Sequence, residues 1–226
     1  MRFLLFLPMP DIDFSETLAL IPKEDKPNLL FVLLHGESAG PEQLYPLVEA
    51  LKKAFPLALI ILPPAEDESR LDELAAFVRK VQGHYKVSGE QTALAGFSQG
   101  ARMALETSRL HADLAGRVLA FSGLYQETPS ALPETTMIHF FHGADDLLLP
   151  LREVETLLQH LGEIQADVTV DVASQVGHEL HPALIEQAVI RLQTCVPLRS
   201  WKEAYGQLVE SPREEEGGGS EPPTLH

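Results

Sequence analysis

The sequence predicts an α/β domain: a mainly parallel sheet with helices on both faces. Five short stretches are apolar without polar alternation, and segments with helical spacing separate them. A strand that reads apolar throughout is covered on both faces, and strands alternating with helices place those helices over a parallel sheet. No unbroken apolar run reaches about 18 residues, so no transmembrane helix is expected.

The elements follow in order. "MRFLLFLPMPDID" places Arg2 before a short apolar stretch, as a secretory signal does, but Pro8 and Pro10 interrupt it, Asp11 and Asp13 follow, and no small-residue cleavage site is present. An edge strand is the expectation there, and "TLALIP" (17–22) adds an outer strand. The buried strands are "LLFVLL" (29–34), "LALIIL" (57–62), "TALAGF" (92–97), "RVLAF" (117–121) and "MIHFF" (137–141). "DVTVDVA" (167–173) alternates and belongs nearer an edge. Helical spacing covers 41–54, 69–86, 99–111, 150–161 and 179–195, several of these opened by Pro, Ser or Asp at capping positions.

Residues 1–196 are expected to form one domain, since a chain of 226 residues with 45% hydrophobic content supports one sizeable core. In 197–210, Trp201, Ala204, Tyr205, Leu208 and Val209 mark one face of an amphipathic helix that docks on the body or on a second copy, which leaves a homodimer open. Residues 211–226 carry too little apolar content to offset ordering and are expected to be a disordered acidic tail.

Charge and cysteine content narrow the function. Lys+Arg 17 against Asp+Glu 33 give a formal charge of -16, which repels nucleic-acid phosphates and anionic membrane surfaces. Cys195 is the single cysteine, so an intramolecular disulfide is excluded and a reducing cytoplasm is the expected compartment.

Within this frame "GFSQG" (96–100) is a G-x-S-x-G between a predicted strand and a predicted helix, the setting of a nucleophile elbow. Such a turn forces Ser98 into a strained conformation and needs Gly96 and Gly100, because side chains there would strike the neighbouring strand and helix. The competing reading is a serine capping helix 99–111 with glycines serving only packing; the strand and helix on either side favour the elbow. A serine hydroxyl needs a base, and the base needs an acid to hold it.

Functional groups of parallel sheets gather at the carboxyl ends of the strands. His84, His111 and His160 fall at the opposite edge, His226 in the tail and His139 inside a strand, leaving His35, His142, His178 and His181. His181 is tied to a helix start by Pro182; His178 follows the last strand and satisfies the order serine, acid, histidine. The acid then falls in "HGADD", where Asp145 and Asp146 both qualify by position.

"LLHG", "GFSQG", "HGADD" and "GHEL", in that order, resemble the α/β-hydrolase carboxylesterases of the acyl-protein thioesterase and phospholipase/carboxylesterase group, in particular small bacterial carboxylesterases, over roughly residues 28 to 195. The resemblance implies an α/β-hydrolase fold with Ser98 as nucleophile, His178 as base and Asp146 rather than Asp145 as acid. It implies an oxyanion hole made by the backbone N–H groups of Glu37 and Gln99. The chain departs from the family pattern in "HGESAGPEQ", where small residues and an aspartate usually follow the first His-Gly, and in the short connection "PPAEDES" (63–69). The expected activity is serine carboxylesterase action on small-molecule short-acyl esters, or thioesters, through an acyl-enzyme. Neither cofactor nor metal is expected. Alternatives are a hydrolase-fold binding protein without turnover and a hydrolase of lactones or peptides.

Overall fold

The computed structural model describes residues 17–22, 26–64 and 70–195. The chain divides into two units, Met1–Cys195 and Val196–His226. The expected amphipathic helix 197–210, the tail 211–226 and the expected first strand before residue 17 lie outside the described residues.

Seven strands, β1 (Leu18–Leu20), β2 (Leu29–Leu34), β3 (Ala58–Leu62), β4 (Thr92–Phe97), β5 (Arg117–Phe121), β6 (Met137–Gly143) and β7 (Val168–Ala173), form one sheet in the order β1-β3-β2-β4-β5-β6-β7. Only β1 runs antiparallel, against β3. The five apolar runs are the five inner strands. Alternating β7 takes one edge, where every residue keeps some exposure, as expected of a strand covered on one side.

Two faces of these strands bury into two cores. Leu30, Val32, Leu94, Val118, Ile138 and Phe140 face α2 (Leu71–Tyr85), α3 (Gln99–Leu110) and α4 (Leu151–Glu163). Phe31, Leu33, Ala95, Leu119, Phe121 and Phe141 face α1 (Tyr45–Ala54) and α5 (Pro182–Thr194). Alternate residues of one strand serve opposite cores, so a register slip of one residue would exchange every partner. Full burial of each large apolar side chain stabilises the fold by about 1.5–3 kcal/mol.

Two helices begin later than their spacing suggests: α5 starts at Pro182 rather than 179, and α1 at Tyr45 rather than 41. Residues Pro41–Leu44 form a 3₁₀ turn, and α1 starts at Tyr45 with Pro46 in its first turn, a position where the missing N–H costs no helical bond. Strand β6 runs two residues beyond "MIHFF", carrying His142 and Gly143 into the sheet.

Candidate active site

The sharp turn expected between strand and helix is present. Ser98 stands between β4 and α3 at φ 54°, ψ −115°, and its N–H donates to the Phe121 carbonyl of neighbouring β5 at 2.9 Å. Positive φ in a residue other than glycine is a local strain that the surrounding packing must hold. Both glycines of the motif are required sterically: a Cβ on Gly96 would lie 2.2 Å from the Gly100 carbonyl carbon, and one on Gly100 would lie 2.1 Å from the Leu34 carbonyl oxygen. Gln99, the first residue of α3, has an N–H that no helical carbonyl can use.

Two loops meet on the far side of β5. After β6, the Ala144 N–H donates to the Ala173 carbonyl and the Asp145 N–H to the Val176 carbonyl, each at 2.9 Å, which fastens the loop after β6 to the loop after β7. That brings His178 to Asp146, with Nδ1 2.7 Å from Oδ2. Asp145, the other carboxylate of "HGADD", is exposed, whereas Asp146 is only 3% exposed. Its second oxygen, Oδ1, accepts from the N–H groups of Leu148 (3.0 Å) and Leu149 (2.9 Å). Burial disfavours the ionised carboxyl of Asp146, but the bonds from Leu149 and His178 outweigh it and hold the group below the ordinary carboxylate range.

An ionised carboxylate only accepts, so His178 donates from Nδ1, and in the neutral imidazole that arrangement leaves Nε2 as a hydrogen-bond acceptor. The Phe97 ring, 5.0 Å from the imidazole by centroids, packs against it. Ser98 and His178 line one pocket of about 360 Å³, together with Arg102, Ser122, Tyr125 and Leu149 among others. Its outer wall is held by a buried carboxylate: Glu106 of α3 accepts from the Gln126 N–H at 2.9 Å and from Arg109 Nε at 2.7 Å.

The remaining histidines have other employment. His142 Nε2 donates to the Leu149 carbonyl at 2.7 Å and lies 3.9 Å from Asp146 Oδ2, so it braces the loop that supplies two N–H groups to Asp146. Position alone marked it as a candidate base; its role became visible only with the loop folded. His35 Nδ1 bonds the Gly36 carbonyl at 3.0 Å, and His181 caps α5 by accepting from the Ala183 N–H at 3.2 Å. Glu37 is exposed, and the next residue, Ser38, has φ 56°. Among the described residues, no group of three or more His, Cys, Asp or Glu side chains is arranged to hold a metal ion, and no helix is long and apolar enough to cross a membrane.

A family model described as Phospholipase/Carboxylesterase matches residues 66–196. Esterase YpfH of Escherichia coli (strain K12) is 30% identical over 211 residues, spanning 82% of this chain and 91% of that protein. Among solved structures, the fold is similar to that of esterase PE8, with a TM-score of 0.69 at 23% identity over 77% of this chain and 96% of the other. It is also similar to the Bacillus cereus carboxylesterase, with a TM-score of 0.68 at 20% identity over 80% and 96%. At those identities the two structural likenesses speak for the fold alone.

Proposed function

The chain belongs to the phospholipase/carboxylesterase family of hydrolases, and from that premise we propose that it is a serine carboxylesterase acting through Ser98, His178 and Asp146. The observation that carries this reading is the 2.7 Å bond between His178 Nδ1 and Asp146 on a pocket that Ser98 also lines.

In this mechanism Ser98 Oγ attacks the ester carbonyl carbon while His178 Nε2 takes the hydroxyl proton, and Asp146 stabilises the imidazolium that forms. The carbonyl π electrons move onto oxygen, where the N–H groups of Glu37 and Gln99 receive the negative charge. Collapse of that intermediate expels the alcohol, which takes the proton from His178, and leaves Ser98 acylated. Water then attacks the acyl carbon with His178 again as base, releasing the carboxylic acid and restoring the serine. No redox change or cofactor enters this sequence.

The preferred substrates are small esters with short acyl groups. A pocket of about 360 Å³ lies at the small end of ligand sites. The roughly 0.8 kcal/mol gained per buried CH₂ therefore stops accumulating after a few carbons. Thioesters of small acids fit the same chemistry. The single Cys195 supports a cytoplasmic location.

The test is a fluorophosphonate probe followed by mapping of the labelled residue, together with a chain-length series of nitrophenyl esters. Labelling at Ser98, lost in Ser98→Ala, is expected, as is kcat/KM that levels off after a few acyl carbons. A protein that resists the probe and hydrolyses no ester is a binding module. A kcat/KM that climbs steadily to long chains refutes the short-acyl preference.

A further inference from the structure

The structure holds the loop "HGESAGPEQ" by a specific set of bonds around one residue, Gly36. The Gly36 N–H donates to Gln43 Oε1 at 2.8 Å. Its carbonyl receives His35 Nδ1 at 3.0 Å and the Ala39 N–H at 3.3 Å. The two peptide planes that meet at this Cα are therefore each clamped, the first by Gln43 and the second by His35 and Ala39.

The second plane contains the Glu37 N–H. In a trans peptide the N–H and C=O point in opposite directions, and the described residues contain no cis bond. With the Gly36 carbonyl turned into the loop by two donors, the Glu37 N–H faces out of it. Among the described residues it has no acceptor. Gly36 itself lies beside the end of β4, since a Cβ there would come 3.5 Å from the Phe97 carbonyl oxygen, next to Ser98.

Gln43 is well placed to act at a distance. It sits in the 3₁₀ turn Pro41–Leu44, whose Gln43 N–H bonds the Gly40 carbonyl at 3.1 Å and whose Leu44 is fully buried in the core under α1. The side chain thus transmits the rigidity of a core element to a loop whose residues 37 and 38 are exposed and whose Ser38 is held at positive φ.

We propose that Gln43 is a positioning residue for ester hydrolysis: its carboxamide oxygen anchors the Gly36 peptide so that the Glu37 N–H is aimed at the oxygen that becomes charged during attack by Ser98. The proposal rests on the esterase reading above. Gln43 touches no substrate, and its effect is confined to the transition state, because the ground-state carbonyl oxygen asks far less of that N–H than the oxyanion does. Loss of an oxyanion donor costs about 10²–10³ in rate. A donor merely released from its anchor is expected to cost about tenfold to a hundredfold.

The experiment compares the unsubstituted protein with Gln43→Met, a side chain of similar length without the amide oxygen, on 4-nitrophenyl acetate. The expected result is a fall of about tenfold to a hundredfold in kcat with KM changed by less than about threefold. A boronic acid inhibitor that mimics the tetrahedral intermediate should weaken by the same factor. An unchanged kcat, or a loss that appears in KM alone, overturns the proposal.

A second measurement needs no variant. Amide hydrogen exchange on the unsubstituted protein should show the Gly36 N–H protected, and exchange there as fast as in an exposed loop also overturns it. If the unsubstituted protein hydrolyses no ester, the esterase reading fails; if it is active and Gln43→Met matches it, only the role of Gln43 fails.

Discussion

Replacing Asp146 by asparagine tests the site with little change of shape, and the structure dictates how the new side chain must sit. Oδ1 of Asp146 accepts from the N–H groups of both Leu148 and Leu149, at 3.0 and 2.9 Å, so only the amide oxygen of asparagine can occupy that position. The NH₂ group is thereby turned toward His178 Nδ1, which now stands at 2.7 Å from the carboxylate. Being a donor, the amide requires Nδ1 to accept, which moves the imidazole proton to Nε2, the nitrogen that must take the proton of Ser98. The base is then in the wrong tautomer with its geometry intact, a change worth about 10⁴ in kcat in other serine triads. At about 1.36 kcal/mol per factor of ten, that is about 5.4 kcal/mol of lost transition-state stabilisation. The assay is kcat on 4-nitrophenyl acetate for the unsubstituted protein, Asp146→Asn and Asp145→Asn, with the melting temperature of each as a control. Asp145 is exposed, and Asp145→Asn should leave kcat within about twofold. A kcat for Asp146→Asn within tenfold of the unsubstituted protein, or greater damage from Asp145→Asn, would refute the tautomer argument.

Other perturbations test separate parts of the fold and site. Ser98→Ala should lose up to about 10⁶ in kcat with an unchanged circular dichroism spectrum, because members of a triad act as a unit. Gly100→Ala should cost about 3 kcal/mol or more in urea unfolding, since its Cβ would lie 2.1 Å from the backbone oxygen of Leu34; a cost under about 1 kcal/mol would mean that β2 and α3 are looser than described. Glu106→Ala removes the acceptor that holds the Gln126 N–H and should destabilise by about 1–3 kcal/mol, with KM raised on esters that fill the pocket beside Ser98. His139 supplies a pH test. It is fully buried, and burial, with Arg117 and then Arg191 nearby, lowers its imidazole to about 3. The unfolded chain, with an ordinary value of about 6.5, binds the proton that the folded one refuses, so stability falls as pH drops from about 6.5 toward 3. His139→Leu should flatten the plot of unfolding free energy against pH in that window, and an unaltered slope would assign the effect elsewhere. Asp146 acts on the same limb: its lowered carboxyl gives stability that is present above the ordinary carboxylate value of about 3.9 and lost as pH falls through the folded value below it.

Much of this protein is legible in its sequence because the relevant physics is local or periodic. The runs "LLFVLL", "TALAGF" and "MIHFF" lie on inner strands because a strand covered on both faces has no solvent side on which to place polar residues. The alternating "DVTVDVA" lies at an edge for the converse reason. The elbow at Ser98 is equally local: strand, sharp turn and helix are consecutive, and both glycines are fixed by contacts within a few residues or with the adjacent strand. Position along the chain also singles out His178 among the histidines.

Tertiary structure decided what depends on neighbours distant in sequence. Asp145 and Asp146 have the same composition of surroundings in the chain, and only the bonding of 144–145 to 173–176 turns one outward and seats the other against His178. His142 and Gln43 are ordinary residues until the loops they brace are folded, because the groups they bond, the Leu149 carbonyl and the Gly36 N–H, are backbone atoms common to every residue and leave no mark in the sequence. Backbone conformation shows the same limit. Ser38, Lys86, Ser98, Asp113, Ser122, Gln165 and Gln175 all adopt positive φ, while none of the described glycines does. Turn chemistry expects glycine at such positions because it meets no steric penalty there. In this protein Gly96 and Gly100 serve close approach between elements, while positive φ falls on other residues: Lys86 in the turn that ends α2, Gln165 in the turn after α4, and Ser98 where β4 meets α3.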